Sequence, residues 1–106
     1  MANWTEQDIQ DVWEKAEIVS KYDKEKHRKD QCGAWMEREK YGDRNSLYGW
    51  EIDHIKTVSK GGTNALSNLR PLQWENNVGR SDGRLKPIVT SEGNKNIRLS
   101  ATDNIA

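Results

Sequence analysis

The sequence predicts an α+β fold in one small domain. Its 106 residues hold enough chain for one core and too little for two. The N-terminal part carries one clear helical period. The rest breaks into short strand-like runs divided by glycine-rich and asparagine-rich turns. The core must be thin: 33% of residues are apolar, Phe is absent, and Val, Ile and Leu together number 18. Five Trp, at 4, 13, 35, 50 and 74, can each bury a large area and are expected in that core. The 17 basic and 17 acidic side chains balance, which argues against a disordered chain.

Thr5-Glu6-Gln7-Asp8 has the form of a capping box with Asp in the Glu position. Ile9, Val12, Trp13 and Ala16 follow at i, i+3, i+4, i+7, so an amphipathic helix of about 12–15 residues is expected. The densely charged stretch 21–30 has no apolar period and reads as a loop or ragged second helix, with His27 solvated. Cys32-Gly33-Ala34-Trp35-Met36 reads as a short strand, with Cys32 as a small core residue. Tyr41-Gly42-Asp43 supplies turn chemistry. Trp50, Ile52 and Ile55 make a strand signal interrupted by Asp53 and His54. Lys60-Gly61-Gly62-Thr63-Asn64 is a loop, and Leu69 and Leu72 flank Pro71 in a short extended piece. Residues 73–80 can form a two-turn helix with Gly79 weakening its end. From Gly83 onward a tail is expected, either a weak hairpin of Ile88-Val89-Thr90 and Ile97-Arg98-Leu99 or partly disordered. The expected division is a domain over 1–84, with its core at 47–82, and a dispensable tail over 85–106. A chain ending at Lys86 should then keep a cooperative melt.

No run of about 18 apolar residues exists, so no membrane span or membrane partner is expected. No secretory signal is visible, and the single Cys32 excludes an internal disulfide framework and a Cys-based zinc finger. A cytoplasmic setting is expected. The zero net charge hides an asymmetry: residues 1–53 carry 9 basic and 13 acidic side chains, residues 54–106 carry 8 and 4. A polyanion would be held by the second half.

Chemistry concentrates in Gly49-Trp50-Glu51-Ile52-Asp53-His54-Ile55, Ser59-Lys60-Gly61-Gly62, Ser67-Asn68-Leu69-Arg70-Pro71-Leu72 and Glu75-Asn76-Asn77-Val78-Gly79-Arg80. His54 is the one histidine in an apolar-flanked stretch, and a neutral imidazole suits a general base. Asp53 offers a hard anionic oxygen to a hard divalent cation. Asn77 lies 23 residues after His54 on the expected helix, and its amide oxygen is a second candidate ligand. Few protein ligands, with water and phosphate oxygens completing the shell, suit Mg²⁺, with Mn²⁺ the other candidate. Asn76 adjoins Asn77, so the helix register decides between them. One tension is geometric: in a regular strand Asp53 and His54 point to opposite faces.

These residues, in this order and spacing, resemble the HNH endonuclease family. The resemblance is nearly motif-complete over residues 49–82, and Arg28-Lys29-Asp30-Gln31-Cys32-Gly33-Ala34-Trp35 is similar to the lead-in of stand-alone bacterial and phage members. It implies a ββα-metal core, a two-stranded ribbon and a helix clasping one divalent ion. It implies metal-dependent hydrolysis of phosphodiester bonds in DNA by a bacterial or phage-encoded enzyme. His54 matches the general base, Asp53 and Asn77 the metal ligands, and Asn68 the middle Asn that ties the loop and orients the base. Arg80 falls where the family often places a cation near the phosphate. The variant reads His-Asn-Asn. Thr57 departs from the family by standing where many relatives have Pro. Lys56, Lys60, Arg70, Arg80 and Arg84 are expected to grip phosphates, with little base readout. Family sites act on one strand at a time, so double-strand cutting implies a dimer or a partner protein. The alternative is a nucleic-acid-binding or regulatory module that keeps the fold without the chemistry. Asp53, His54 and Asn77 together argue against it. A third reading is a toxin-type nuclease domain from a larger chain.

Overall fold

The computed structural model describes residues 3–99. Among the described residues two α-helices, α1 (Glu6–Trp13) and α2 (Trp74–Gly79), accompany six short strands. The strands pair antiparallel as three separate ribbons: β1 (His27–Lys29) with β2 (Trp35–Glu37), β3 (Trp50–His54) with β4 (Leu69–Gln73), and β5 (Val89–Glu92) with β6 (Lys95–Arg98). The α+β expectation holds. Among the described residues no helix is long and apolar enough to cross a membrane.

The α1 capping box forms in both directions, Asp8 N–H donating to Thr5 Oγ1 and Thr5 N–H to Asp8 Oδ2, each at 3.0 Å. The helix is eight residues long, shorter than its apolar period suggested. It ends because Lys15 and Ala16 donate three residues back, to Val12 and Trp13, and the chain then extends so that Glu17 bridges Lys29. Ile9, Val12, Trp13 and Ala16 still face one core with Met36, Trp50 and Leu69. Trp13 and Trp50 meet at 5.2 Å between ring centroids, and Tyr41 meets Trp50 edge-on at 5.0 Å. Four indoles hand their N–H to backbone carbonyls: Trp13 to Lys24, Trp35 to Gly93, Trp50 to Arg38 and Trp74 to Ser46.

The charged stretch 21–30 is not a solvated face throughout. Asp23 organises a turn, and β1 follows. Arg28 is buried and its guanidinium donates to the Glu14 and Ala16 carbonyls just past the end of α1, and to the Lys24 carbonyl of the following loop. Asp30 is buried as well and accepts from Cys32 N–H, Ala34 N–H, Gln73 N–H and Asn76 Nδ2. Burial lifts its carboxyl above the usual aspartate range, against the pull of those four hydrogen bonds. The neighbouring Cys32 is half-buried, and desolvation, aided by the Asp30 charge, pushes its thiol to about 12, so it stays protonated and unreactive.

The hairpin expected near the C-terminus forms, with Gly93 at φ 60 in its turn. It is latched to the rest by amides. Asn76 Oδ1 accepts from Ile88 and Val89 N–H, while Asn76 Nδ2 donates to Asp30 and to the Val89 carbonyl. Asn96 accepts from Trp35 N–H at 2.6 Å and donates to the carbonyls of Trp35 and Leu47. Val89 is fully buried. These contacts make the hairpin part of the fold and reverse the expectation for a chain ending at Lys86. The end of the expected tail, 100–106, lies outside the described residues.

Candidate functional site

The β3–β4 ribbon pairs Asp53 with Arg70 and His54 with Leu69, and α2 begins directly after β4. Gln73 makes that junction sharp: its Oε1 accepts from Glu75 and Asn76 N–H, capping α2, and its Nε2 donates to the Leu47 carbonyl. The 56–67 loop leaves the ribbon immediately after the His54–Ile55 pair and is closed by Asn68. Asn68 Oδ1 accepts from Lys56 N–H at 2.8 Å, and its Nδ2 donates to the carbonyls of Lys56 and Thr63. The loop-tying role expected of Asn68 is therefore what its hydrogen bonds perform. At Gly62 a Cβ would collide with the Lys56 carbonyl, and Gly61 sits at φ 91, so the first of the pair is required by backbone conformation and the second by space.

Asp53 is 2% exposed. Its Oδ2 accepts from Arg70 Nε at 2.7 Å. Its Oδ1 lies against Arg80 Nε, but that N–H is aimed at Asn77 Oδ1, 3.1 Å away. Asp53 Oδ1 therefore has a positive charge beside it and no hydrogen bond of its own. Asn77 Nδ2 in turn donates to Glu51 Oε1 at 2.8 Å, and Arg44 grips Glu51 through two hydrogen bonds of 2.7 and 2.9 Å. Burial alone would raise the Glu51 carboxyl, but the bonds from Arg44 and Asn77 win and hold it below the usual glutamate range.

His54 turns the other way, as strand alternation requires. Its Nε2 is 2.7 Å from Asn64 Oδ1, and its ring lies 5.8 Å from the Trp4 ring, tilted by 42°. A cleft of about 820 Å³ opens here, with Trp4, Tyr41, Glu51, His54, Asn64 and Asn77 on its walls. Asn77 joins the two halves of the constellation: it shares this cleft with His54 and shares Arg80 with Asp53.

The cations expected on phosphates divide. Lys56, Lys60 and Arg84 are exposed, with Lys60 paired to Asp82 at 3.0 Å. Arg80 is half-buried against Asp53 and Asn77. Arg70 is 6% exposed and committed to Asp53 and to the Gly83 carbonyl, so it cannot reach a phosphate; its work is to hold Asp53. Glu51 and Asn64 were given no role by sequence reasoning, and Trp4 only a place in the core, against which it does pack. Glu51 stands within the motif, and Asn64 follows its glycine pair, but no periodicity marks either as facing the cleft.

The register of α2 places Asn77 on the cleft and Asn76 in the interior, fully buried. Asn76→Ala would remove one of the four donors to Asp30 and leave the Ile88 and Val89 N–H groups unpaired, so it should destabilise the fold by about 2–4 kcal/mol. Asn77→Ala, exchanging a half-exposed amide, should cost less than about 1 kcal/mol. Urea melts of the two variants check this, and equal losses would contradict the placement.

The chain matches no protein-family model, and neither a curated protein nor a solved structure matches it significantly.

Proposed function

We propose that the protein is a metal-dependent endonuclease that hydrolyses phosphodiester bonds in DNA, with a ββα-metal site of the HNH type. The observation that carries this reading is the buried, unbonded Asp53 Oδ1 meeting Asn77 Oδ1 at Arg80, beside a cleft walled by His54. A carboxylate and an amide oxygen are hard donors and fit Mg²⁺ or Mn²⁺. Asp53 and Asn77 would hold the ion. When bound, the ion supplies Lewis-acid stabilisation of the phosphate and its leaving oxygen.

The protein's own groups do the rest. Asn64 accepts from His54 Nε2–H, which leaves the lone pair on Nδ1 to take a proton from the attacking water. The Trp4 ring limits the swing of the imidazole. Arg70 orients the Asp53 carboxylate through a charge-assisted hydrogen bond, and Asn68 fixes the loop that carries Asn64. Each chain carries one such site, so cutting both strands requires two copies or a partner.

A plasmid-nicking assay tests the reading. Supercoiled DNA should relax with Mg²⁺ or Mn²⁺ and stay intact with EDTA. Failure with either ion, or full activity in EDTA, rejects it. Binding should rest on phosphate contacts from Lys56, Lys60, Arg80 and Arg84. Each contributes about −0.9 to the slope of log K against log salt, for a total of about −3.6. Arg80→Ala should bring that slope closer to zero by about one unit. A titration at several salt concentrations measures it, and a flat response would show that bases or a partner do the targeting.

A further inference from the structure

Arg80 occupies the point where Asp53 and Asn77 converge. Its Nε touches Asp53 Oδ1 while its N–H donates to Asn77 Oδ1. We propose that Arg80 is a resident counter-cation of this pair, one that must swing aside before a divalent ion can sit between the two oxygens. The inference rests on the reading of Asp53 and Asn77 as ion ligands.

Charge balance supports the exchange. Asp53 faces two guanidinium groups, and Arg70 alone neutralises it. Glu51 is already matched by Arg44. A divalent ion placed beside both arginines would leave a large positive excess in a desolvated spot. One of the two must leave, and their anchoring decides which. The Arg70 side chain is 7% exposed and also donates to the Gly83 carbonyl at 2.6 Å. The Arg80 side chain is 29% exposed, stands at the C-cap of α2, and among the described residues has Asn77 as its one hydrogen-bond acceptor.

The released guanidinium finds its counter-charge on a phosphate at the cleft. Ion and nucleic acid therefore load together, each favouring the conformer the other needs. In the absence of nucleic acid, the apparent ion affinity is the intrinsic affinity reduced by the small fraction of molecules with Arg80 turned out. Removing the guanidinium lifts that reduction.

The test is calorimetric titration of Mn²⁺ into the full chain without nucleic acid, for the parent, Arg80→Gln and Arg80→Met. Two replacements of different polarity, each checked by circular dichroism, guard against one that fails to fold. Both should bind Mn²⁺ about tenfold or more tightly than the parent, the worth of one charge-assisted hydrogen bond. Equal or weaker binding overturns the inference, and if the parent still nicks DNA with Mg²⁺ the nuclease reading stands. If neither parent nor variants take Mn²⁺ at millimolar concentration, the ion-ligand reading of Asp53 and Asn77 falls, and this inference with it.

Discussion

Replacing His54 by Ala should lower the rate of DNA cleavage by about 10²–10⁴-fold, the usual loss when a positioned general base is removed. Nucleic-acid binding should stay within a few fold, because the cations expected on phosphates lie elsewhere, at Lys56, Lys60, Arg80 and Arg84. The fold should also survive. His54 is half-exposed, and among the described residues its ring hydrogen-bonds to Asn64, an exposed loop residue. Single-turnover cleavage and a binding isotherm, measured side by side, separate the two effects. Cleavage at the parent's rate would remove His54 from the mechanism. Equal loss of binding and cleavage would make it a substrate contact instead.

Ending the chain at Lys86 should abolish the cooperative melt. The loss would strip both Asn76 amide atoms of their hairpin partners and leave the Trp35 backbone without Asn96. It would also leave the Trp35 indole N–H without the Gly93 carbonyl and the Gly33 carbonyl without Ser91. Each buried polar group left unpaired costs about 1–3 kcal/mol. The total stability of a small domain is about 5–15 kcal/mol. The thin core has no surplus to absorb several such losses. A thermal melt followed by circular dichroism decides the matter, and a sharp transition at the full-length temperature would return the hairpin to the status of an appendage.

The parts of the site that lie close together in sequence were the legible ones. The extended runs of β3 and β4, the glycine loop and the capping box of α1 follow from local turn chemistry and short spacing, whereas the pairing of the ribbon and the loop-closing Asn68 were implied by the family resemblance. The parts fixed by distant partners were not. Arg28, Asp30, Asn76 and Asn96 are polar residues in polar surroundings, and their partners lie as far as 61 residues away along the chain. Nothing in a linear pattern distinguishes them from solvated neighbours. Arg70 misled for the same reason: a basic residue beside Pro71 reads as surface until Asp53 is seen opposite it on the ribbon. The hairpin read as weak because its apolar content is low, while its attachment depends on side-chain amides. Asn64 and Trp4 approach His54 from opposite ends of the sequence pattern, one from a loop tip and one from the stretch before α1.

The amide latches also bear on how this protein responds to temperature. Unfolding that exposes hydrocarbon raises the heat capacity, whereas exposing peptide and amide surface lowers it. A molecule held by Asp30, Asn76 and Asn96 around a few indoles uncovers an unusually polar mixture when it opens. Its heat-capacity increment should fall below the usual 12–15 cal/mol/K per residue, roughly speaking. The stability curve is then broad and shallow, with little penalty on cooling and no steep optimum.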